Sequence, residues 1–545
     1  MADIFPFKSY RKGQREAIEQ AQEAFASGKR FVVIEAPTGA GKSAIAVTLA
    51  RQAADAYVVT AQKILQDQYQ QDFSDLSLIK GRSNYPCELN PHTTAAVAPC
   101  HLRFLLPQCQ SCRYYNAKDR AVEARKTLTN YAYFLAELNH GSSFQTRDLL
   151  VLDEAHNTEA ALMHYTQVRI DDQGLMRHGL GDRLLPSFAP EAETWFAYAE
   201  ALLPRAKTLL QEVEKRVQQS EKPWEHSILS ELQHKFWLEN LVSGLERLQT
   251  SLEDNSARWV VDAQRQGTLQ HVSYKPVEAS PFAHDLLFSH ADKVLMLSAT
   301  ILDPETYLRS LGIDSDEAAI ISMASDFPAE NRPIYVQPTA KLTVHQRERD
   351  LPKLVAKISA LLEQHPHDKG LIHSHTYSIA QYIANHLPSA QQHRLITHSS
   401  GDREAALERH RNSKKPSVLL TPSMTEGIDL ADALSRWQVI CKIPYPYLGD
   451  PQVVARKDLD PAWYDWRTCL TVVQAYGRSV RSREDYAVTY VLDADFPKFL
   501  RRQHKRLPVW FSEAVQPLEP ESSEASSQAL ANEVRSSQSR KRKKS

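Results

Sequence analysis

The run Ala36-Pro37-Thr38-Gly39-Ala40-Gly41-Lys42-Ser43 constrains this chain more than any other feature. It follows the apolar stretch Phe31-Val32-Val33-Ile34 and leads into Ala44-Ile45-Ala46, so strand, loop and helix are expected in succession. In that setting backbone N–H groups and a helix N-terminus cradle phosphate, which commits the surrounding residues to a parallel α/β sheet. Gly39 and Gly41 permit the tight wrap, Lys42 reaches the β- and γ-phosphates, and Ser43 offers a hydroxyl to Mg²⁺.

Further short apolar runs fit buried parallel strands: Ala56-Tyr57-Val58-Val59, Leu149-Leu150-Val151-Leu152 and Lys293-Val294-Leu295-Met296-Leu297. A second set comprises residues 370–373, 418–420, 438–441 and 487–492, so two α/β sheets in tandem are the economical reading. Two segments interrupt the first sheet. Residues 80–115 hold four cysteines with little periodicity, and residues 157–277 read as mostly helical. In the latter, Leu238, Leu241, Leu245, Leu248 and Leu252 predict one apolar stripe on a long helix, and a short hairpin is expected around Gly267.

Asp153-Glu154-Ala155-His156 closes a hydrophobic strand. Asp153 is expected to hold Mg²⁺, and Glu154 to orient and deprotonate an attacking water. Ser298-Ala299-Thr300 follows another strand, and Thr425-Glu426-Gly427-Ile428-Asp429 precedes Gln474-Ala475-Tyr476-Gly477-Arg478-Ser479-Val480-Arg481. Arg478 and Arg481, three apart on an expected helix, would stabilise charge on a γ-phosphate.

Cys87, Cys100, Cys109 and Cys112 lie between the phosphate loop and the acidic box, separated by twelve, eight and two residues. Four thiolates suit tetrahedral zinc or a [4Fe–4S] cluster, and spacing leaves both open. Cys441, in an apolar strand, and Cys469, in a helix, are read as core thiols. Lys80, Arg82, Arg103, Arg113 and Lys118 are interleaved with Tyr85, Phe104, Tyr114 and Tyr115, a pattern that can follow phosphates and stack on bases. Half of those aromatics are expected in a small local core instead.

The motif series resembles that of superfamily 2 helicases. Ala36, in place of the loop's first glycine, is a variant common among such motors. Asp153-Glu154-Ala155-His156-Asn157, a DEAH box, and the lead Lys80-Gly81-Arg82-Ser83-Asn84-Tyr85-Pro86-Cys87 are similar to the XPD/DinG branch. The resemblance runs from about Tyr10 to about Leu500. It implies two RecA-like parallel-sheet motor lobes with an inserted iron–sulfur domain and an inserted mainly helical Arch domain. It further implies ATP-dependent DNA unwinding, typically 5′ to 3′, with the cysteine quartet holding a [4Fe–4S] cluster. His156, Gln474, Arg478 and Arg481 join Lys42, Asp153 and Glu154 as implied catalytic residues, and Gly427 and Asp429 join the nucleotide site. Tyr10, Arg11 and Gln14 fall where such proteins contact adenine.

On this reading residues 1–79, 116–156 and 278–325 form the first motor lobe, 80–115 the iron–sulfur domain and 157–277 the Arch-like insertion. Residues 326–510 form the second lobe, and 511–545 a disordered tail ending Arg540-Lys541-Arg542-Lys543-Lys544. The expected partners are single-stranded and forked duplex DNA, with no membrane. Net charge is −1, so no global basic field marks a nucleic-acid binder, although a balanced sum can hide a basic groove. No signal peptide or bilayer-spanning stretch is read, and six cysteines do not suggest a secreted disulfide scaffold. A cytoplasmic site is expected, nucleoid-associated in a bacterium. The rival readings are a nucleoprotein remodeller, an RNA or hybrid helicase, and an ATP-gated DNA-binding scaffold.

Overall fold

The computed structural model of the chain describes residues 4–96, 98, 111–141, 143–186, 191–219, 226–266, 269–325, 327–399, 401–422, 430, 432–480 and 484–516. The chain divides into two units, Met1–Asp326 with Tyr445–Thr471, and Phe327–Pro444 with Val472–Ser545.

In chain order the first unit contributes β1 (Phe31–Glu35), β2 (Ala56–Thr60), β3 (Ser77–Leu78), the pair β4 (Pro86–Cys87) and β5 (Asn90–Thr94), β6 (Lys126–Asn130) and β7 (Arg147–Asp153). There follow β8 (Val168–Asp171), β9 (Trp259–Gln266), β10 (Leu269–Pro276), β11 (Ala291–Ser298) and β12 (Ala318–Ser322). Seven of these form one parallel sheet in the order β12-β1-β11-β7-β2-β6-β3. Alternation along β1 explains its unbroken apolar run. Phe31 and Val33 enter one core cluster and Val32 and Ile34 another, so both faces of the sheet are covered. The strand β6 escapes an apolar-run search because it reads Lys-Thr-Leu-Thr-Asn, yet Thr127 and Thr129 are fully buried.

The insertion pairs two long helices, Ala192–Gln218 and His226–Glu253, with the antiparallel sheet β8-β10-β9. Leu238, Leu241, Leu245 and Leu248 are buried there, but Leu252 is exposed, so the stripe stops one turn early. The hairpin strands run eight residues each, longer than expected, and Gly267 lies outside the described residues. In the cysteine-bearing segment the β4–β5 pair is followed by a helix, Arg113–Glu123, that buries Tyr114, Ala117 and Ala121.

The segment Tyr445–Thr471 completes the first unit. It holds the helix Pro451–Leu459 and most of the helix Pro461–Tyr476. Trp466 and Leu470 enter the same core cluster as Phe31 and Leu152. Glu159 and Arg456, both buried, approach to 3.6 Å, Arg456 reaches Glu278 at 3.2 Å, and the Trp463 indole N–H donates to Glu159 at 2.9 Å.

The second unit is a six-stranded parallel sheet of β13 (Ile334–Ala340), β14 (Gly370–His373), β15 (Leu395–Ile396), β16 (Val418–Thr421), β17 (Trp437–Ile440) and β18 (Val488–Asp493), ordered β13-β18-β17-β14-β16-β15. Both units are therefore doubly covered parallel α/β sheets of the RecA-like kind. Cys441 and Cys469 are fully buried thiols in no disulfide, and burial pushes the Cys441 thiol well up. Residues 511–516, expected in the tail, instead pack: Phe511 and Ala514 are buried, and the Ile334 N–H donates to the Ala514 carbonyl at 2.7 Å. The remainder of the tail lies outside the described residues. No described helix is long and apolar enough to cross a membrane.

Candidate nucleotide-hydrolysis site

The phosphate loop leaves the end of β1 and enters the helix Lys42–Gln52. Gly39 and Gly41 take φ of 83° and 79°, the left-handed region that disfavours a side chain. At Gly41 a Cβ would also run into the Gln14 amide. That amide, buried on the helix Gln14–Ala26, donates to the carbonyls of Ala40 at 2.9 Å and Gly41 at 3.1 Å. Gln14 in turn accepts from the Arg11 backbone at 2.7 Å, and the Arg11 guanidinium donates to the Gly39 carbonyl. Two of the three residues expected at adenine thus grip the phosphate loop's backbone. Tyr10, the third, stacks on Phe5 with ring centres 3.9 Å apart.

The acidic box sits at the end of β7, and β11 lies between β7 and β1. Glu35 pairs in register with Ser298, and Leu297 with Asp153, so the ends of three strands converge. Asp153 is buried and accepts from the Tyr69 hydroxyl at 2.9 Å. Burial, then the neighbouring Glu154 charge, push its carboxyl up, against the pull of Lys42. Oxygen donors of this kind, Asp153 with the Ser43 hydroxyl, suit Mg²⁺.

Glu154 adopts φ 51°, uncommon for a residue with a side chain and concentrated at functional sites. Its carboxylate lies 3.8 Å from Lys42 Nζ and 3.4 Å from His156 Nδ1. His156 Nδ1 also meets the Ser298 hydroxyl at 2.8 Å, and that hydroxyl accepts from the Thr300 N–H at 3.0 Å. Tyr307 donates its hydroxyl to the Ala155 carbonyl at 2.9 Å. Glu35 accepts from the Ile301 and Leu302 N–H groups at 2.8 and 3.0 Å. Burial raises the Glu35 carboxyl despite those two donors. Tyr69, Tyr307 and Glu35 carried no local sequence signal, because their partners lie 84, 152 and at least 266 residues away.

In the second unit Gln474 is buried in the last turn of the helix Pro461–Tyr476. The helix ends before Arg478, so this arginine lies beyond it rather than on a shared helix face. Arg478 Nε donates to the Gln474 carbonyl at 3.0 Å, and its charge, after burial, helps push His373 down to about 4. Gln438 on β17 anchors this stretch, donating to the Tyr476 carbonyl at 2.8 Å and accepting from Ser479 at 3.2 Å. Arg481, Gly427 and Asp429 lie outside the described residues.

Of the cysteine quartet, Cys87 and Cys112 are described, both buried and in no disulfide; Cys100, Cys109 and Arg103 lie outside the described residues. Among the described residues no three His, Cys, Asp or Glu side chains are grouped to hold a metal. The candidate DNA contacts have partners within this segment and the adjoining helix. Lys80 pairs with Asp67, Arg113 with Glu88 at 2.9 Å, Arg82 stacks 4.5 Å from the Tyr114 ring centre, and the Tyr85 hydroxyl accepts from the Lys80 N–H.

Two domain families match the chain: the type III restriction enzyme res subunit over residues 7–176 and the helicase C-terminal domain over residues 358–514. The chain is 26% identical over 256 residues to the ATP-dependent DNA helicase DinG of Photobacterium profundum, covering 44% of this chain and 37% of that protein. It is 33% identical over 107 residues to the regulator of telomere elongation helicase 1 homolog of Caenorhabditis elegans, covering 15% of this chain and 11% of that protein. The chain therefore spans well under half the length of these relatives. Among solved structures, an XPD helicase superposes with a TM-score of 0.63 at 14% identity, covering 92% of this chain and 98% of that one. Xpd4 of S. tokodaii superposes with a TM-score of 0.55 at 16% identity, covering 93% and 99%. The ordered motifs, the two domain matches and the shared fold make this chain similar to the XPD/DinG-like superfamily 2 helicases.

Proposed function

We propose that this protein is an ATP-dependent DNA helicase that moves 5′ to 3′ on a single strand and separates duplexes at a fork. The observation that carries this reading is the convergence of Lys42, Glu154 and the Ser298–Thr300 loop at three neighbouring strand ends. Lys42 Nζ lies 3.8 Å from the Glu154 carboxylate. An arriving γ-phosphate competes for Lys42 and frees the Glu154 carboxylate to orient and deprotonate water. Asp153 and Ser43 would hold Mg²⁺, which neutralises charge on the β- and γ-oxygens when bound. Arg478, with Arg481, is assigned the stabilisation of charge developing on the γ-phosphate, and Gln474 its orientation.

Cys87, Cys100, Cys109 and Cys112 are assigned to a [4Fe–4S] cluster whose cross-linking stiffens the segment as a wedge. Residues 157–277 are assigned as the Arch. Backbone phosphate contacts imply little sequence preference and a steep salt dependence. Strand displacement on 5′- and 3′-tailed duplexes, with DNA and RNA loading strands, tests the reading. Displacement of only the 5′-tailed DNA substrate is expected. Hydrolysis without displacement on any substrate would sink it in favour of an ATP-gated scaffold.

A further inference from the structure

The last described stretch of the chain, residues 508–516, closes on a buried arginine that none of the sequence motifs contains. Arg332 lies two residues before β13 and is 4% exposed. Its guanidinium donates to the Phe327 carbonyl through Nε at 3.2 Å and Nη2 at 2.9 Å, and through Nη1 to the Trp510 carbonyl and to the Tyr476 hydroxyl at 3.3 Å. That hydroxyl returns the contact, donating to the Arg332 carbonyl at 2.6 Å. The Trp510 ring stacks beside Tyr476 with centres 5.9 Å apart, and Phe511 meets the same phenol edge-on at 5.1 Å. A parallel bridge between Ile334 and Val515 ties the stretch to β13.

All four guanidinium bonds go to neutral oxygens. Burying a charge is costly unless hydrogen bonds satisfy it, and bonds to a charged group are the strong ones. The fork of Arg332 therefore fixes whatever it touches, and one of its partners is Tyr476. This tyrosine is the last residue of the helix Pro461–Tyr476, and Arg478 follows two residues later. At its other end the Tyr476 carbonyl accepts from the amide of Gln438, also buried, at 2.8 Å. Hydroxyl and carbonyl are both held, so the direction in which the chain leaves toward Arg478 is set. A tyrosine that only filled space would need neither grip.

We infer that Arg332 is a positioning residue for Arg478 and acts through Tyr476, with residues 508–516 as the strap that keeps it in place. The functional consequence rests on the helicase reading, in which Arg478 stabilises charge on the γ-phosphate; the anchoring itself does not.

Two measurements on the full chain test it. Tyr476→Phe removes the hydroxyl and keeps the ring, while Arg332→Lys keeps the charge and loses the fork. Without nucleotide, amide exchange at residues 477–480 should rise about ten-fold in both variants. Wild-type exchange there would overturn the inference whether or not the protein unwinds DNA. ATP hydrolysis then separates positioning from packing. Tyr476→Phe should lower kcat about ten-fold, the scale of one hydrogen bond to a charged group, with the KM for ATP within about two-fold. In an Arg478→Ala background the same substitution should change kcat by less than about two-fold, because the group it positions is gone. A merely structural role would lower the melting temperature and leave kcat at the wild-type value, and an equal loss in both backgrounds would mean that Tyr476 acts elsewhere. Either result overturns the positioning of Arg478. Wild-type hydrolysis by Arg478→Ala alone would count against the helicase reading's assignment of that arginine, with the exchange measurement still deciding the anchoring.

Discussion

His156 Nδ1 and the Ser298 hydroxyl lie 2.8 Å apart, joining the acidic box to the strand that separates it from the phosphate loop. The same hydroxyl accepts from Thr300 N–H, so one oxygen ties the box to the loop beyond β11. Ser298→Ala removes both bonds in a fully buried position, at a cost of about 1–3 kcal/mol. The expected outcome is a lower urea midpoint and a reduced kcat for ATP, with the KM little changed, measured by steady-state hydrolysis.

The Lys42 ammonium lies 3.8 Å from the Glu154 carboxylate and also acts on the charge of Asp153. Lys42→Ala should lower DNA-stimulated ATP hydrolysis by about 100-fold or more. Normal turnover in a folded variant, checked by circular dichroism, would remove the motor assignment.

The buried Glu159–Arg456 pair predicts an asymmetric cost. Glu159→Ala leaves Arg456 with Glu278 alone and the Trp463 indole without its acceptor. A loss of about 3 kcal/mol is expected, as for other buried pairs broken on one side. Equilibrium denaturation of the single variants and of Glu159→Leu with Arg456→Met measures it. The double variant should recover part of the loss.

His410 sets an acid limit on the second unit. Burial holds its imidazole down at about 4, below the ordinary 6.5, while Ser417 and the Leu434 carbonyl bond its two nitrogens. The unfolded chain therefore takes up this proton first. The stability contributed by neutral His410 is whole above pH 6.5 and is lost as the pH falls toward 4. Thermal melting between pH 7.5 and 4.5 should show that decline, and His410→Gln should make it shallower.

The metal assignment is checked by composition. Anaerobically purified protein should be brown, with about four iron atoms per chain. Colourless protein with one zinc would overturn the cluster. Cys109→Ser should lose iron and strand displacement while retaining much of the hydrolysis.

Legibility in the sequence followed the range of the interactions. Strands such as Leu149–Leu152 are apolar on both faces and announce themselves, whereas β6 buries threonines, which a hydropathy search passes over. The phosphate loop and acidic box are contiguous strings, so their chemistry could be read directly. Glu35, Tyr69 and Tyr307 support those strings through partners brought close only by the sheet order. The helix ends at Tyr476, where Gly477 is a local stop signal and the Gln438 contacts hold the chain that follows.

Trp466 and Leu470 sit in one core with Phe31 and Leu152, which gives the molecule an order of manufacture. A ribosome releases residues 1–326 first, but that stretch lacks the indole that fills its centre and the arginine that neutralises Glu159. The first unit cannot close until synthesis has passed residue 471, by which point most of the second sheet has also emerged. Early release of the nascent chain would leave a half-built core exposed, so the first unit completes its fold only after most of the second unit has been made.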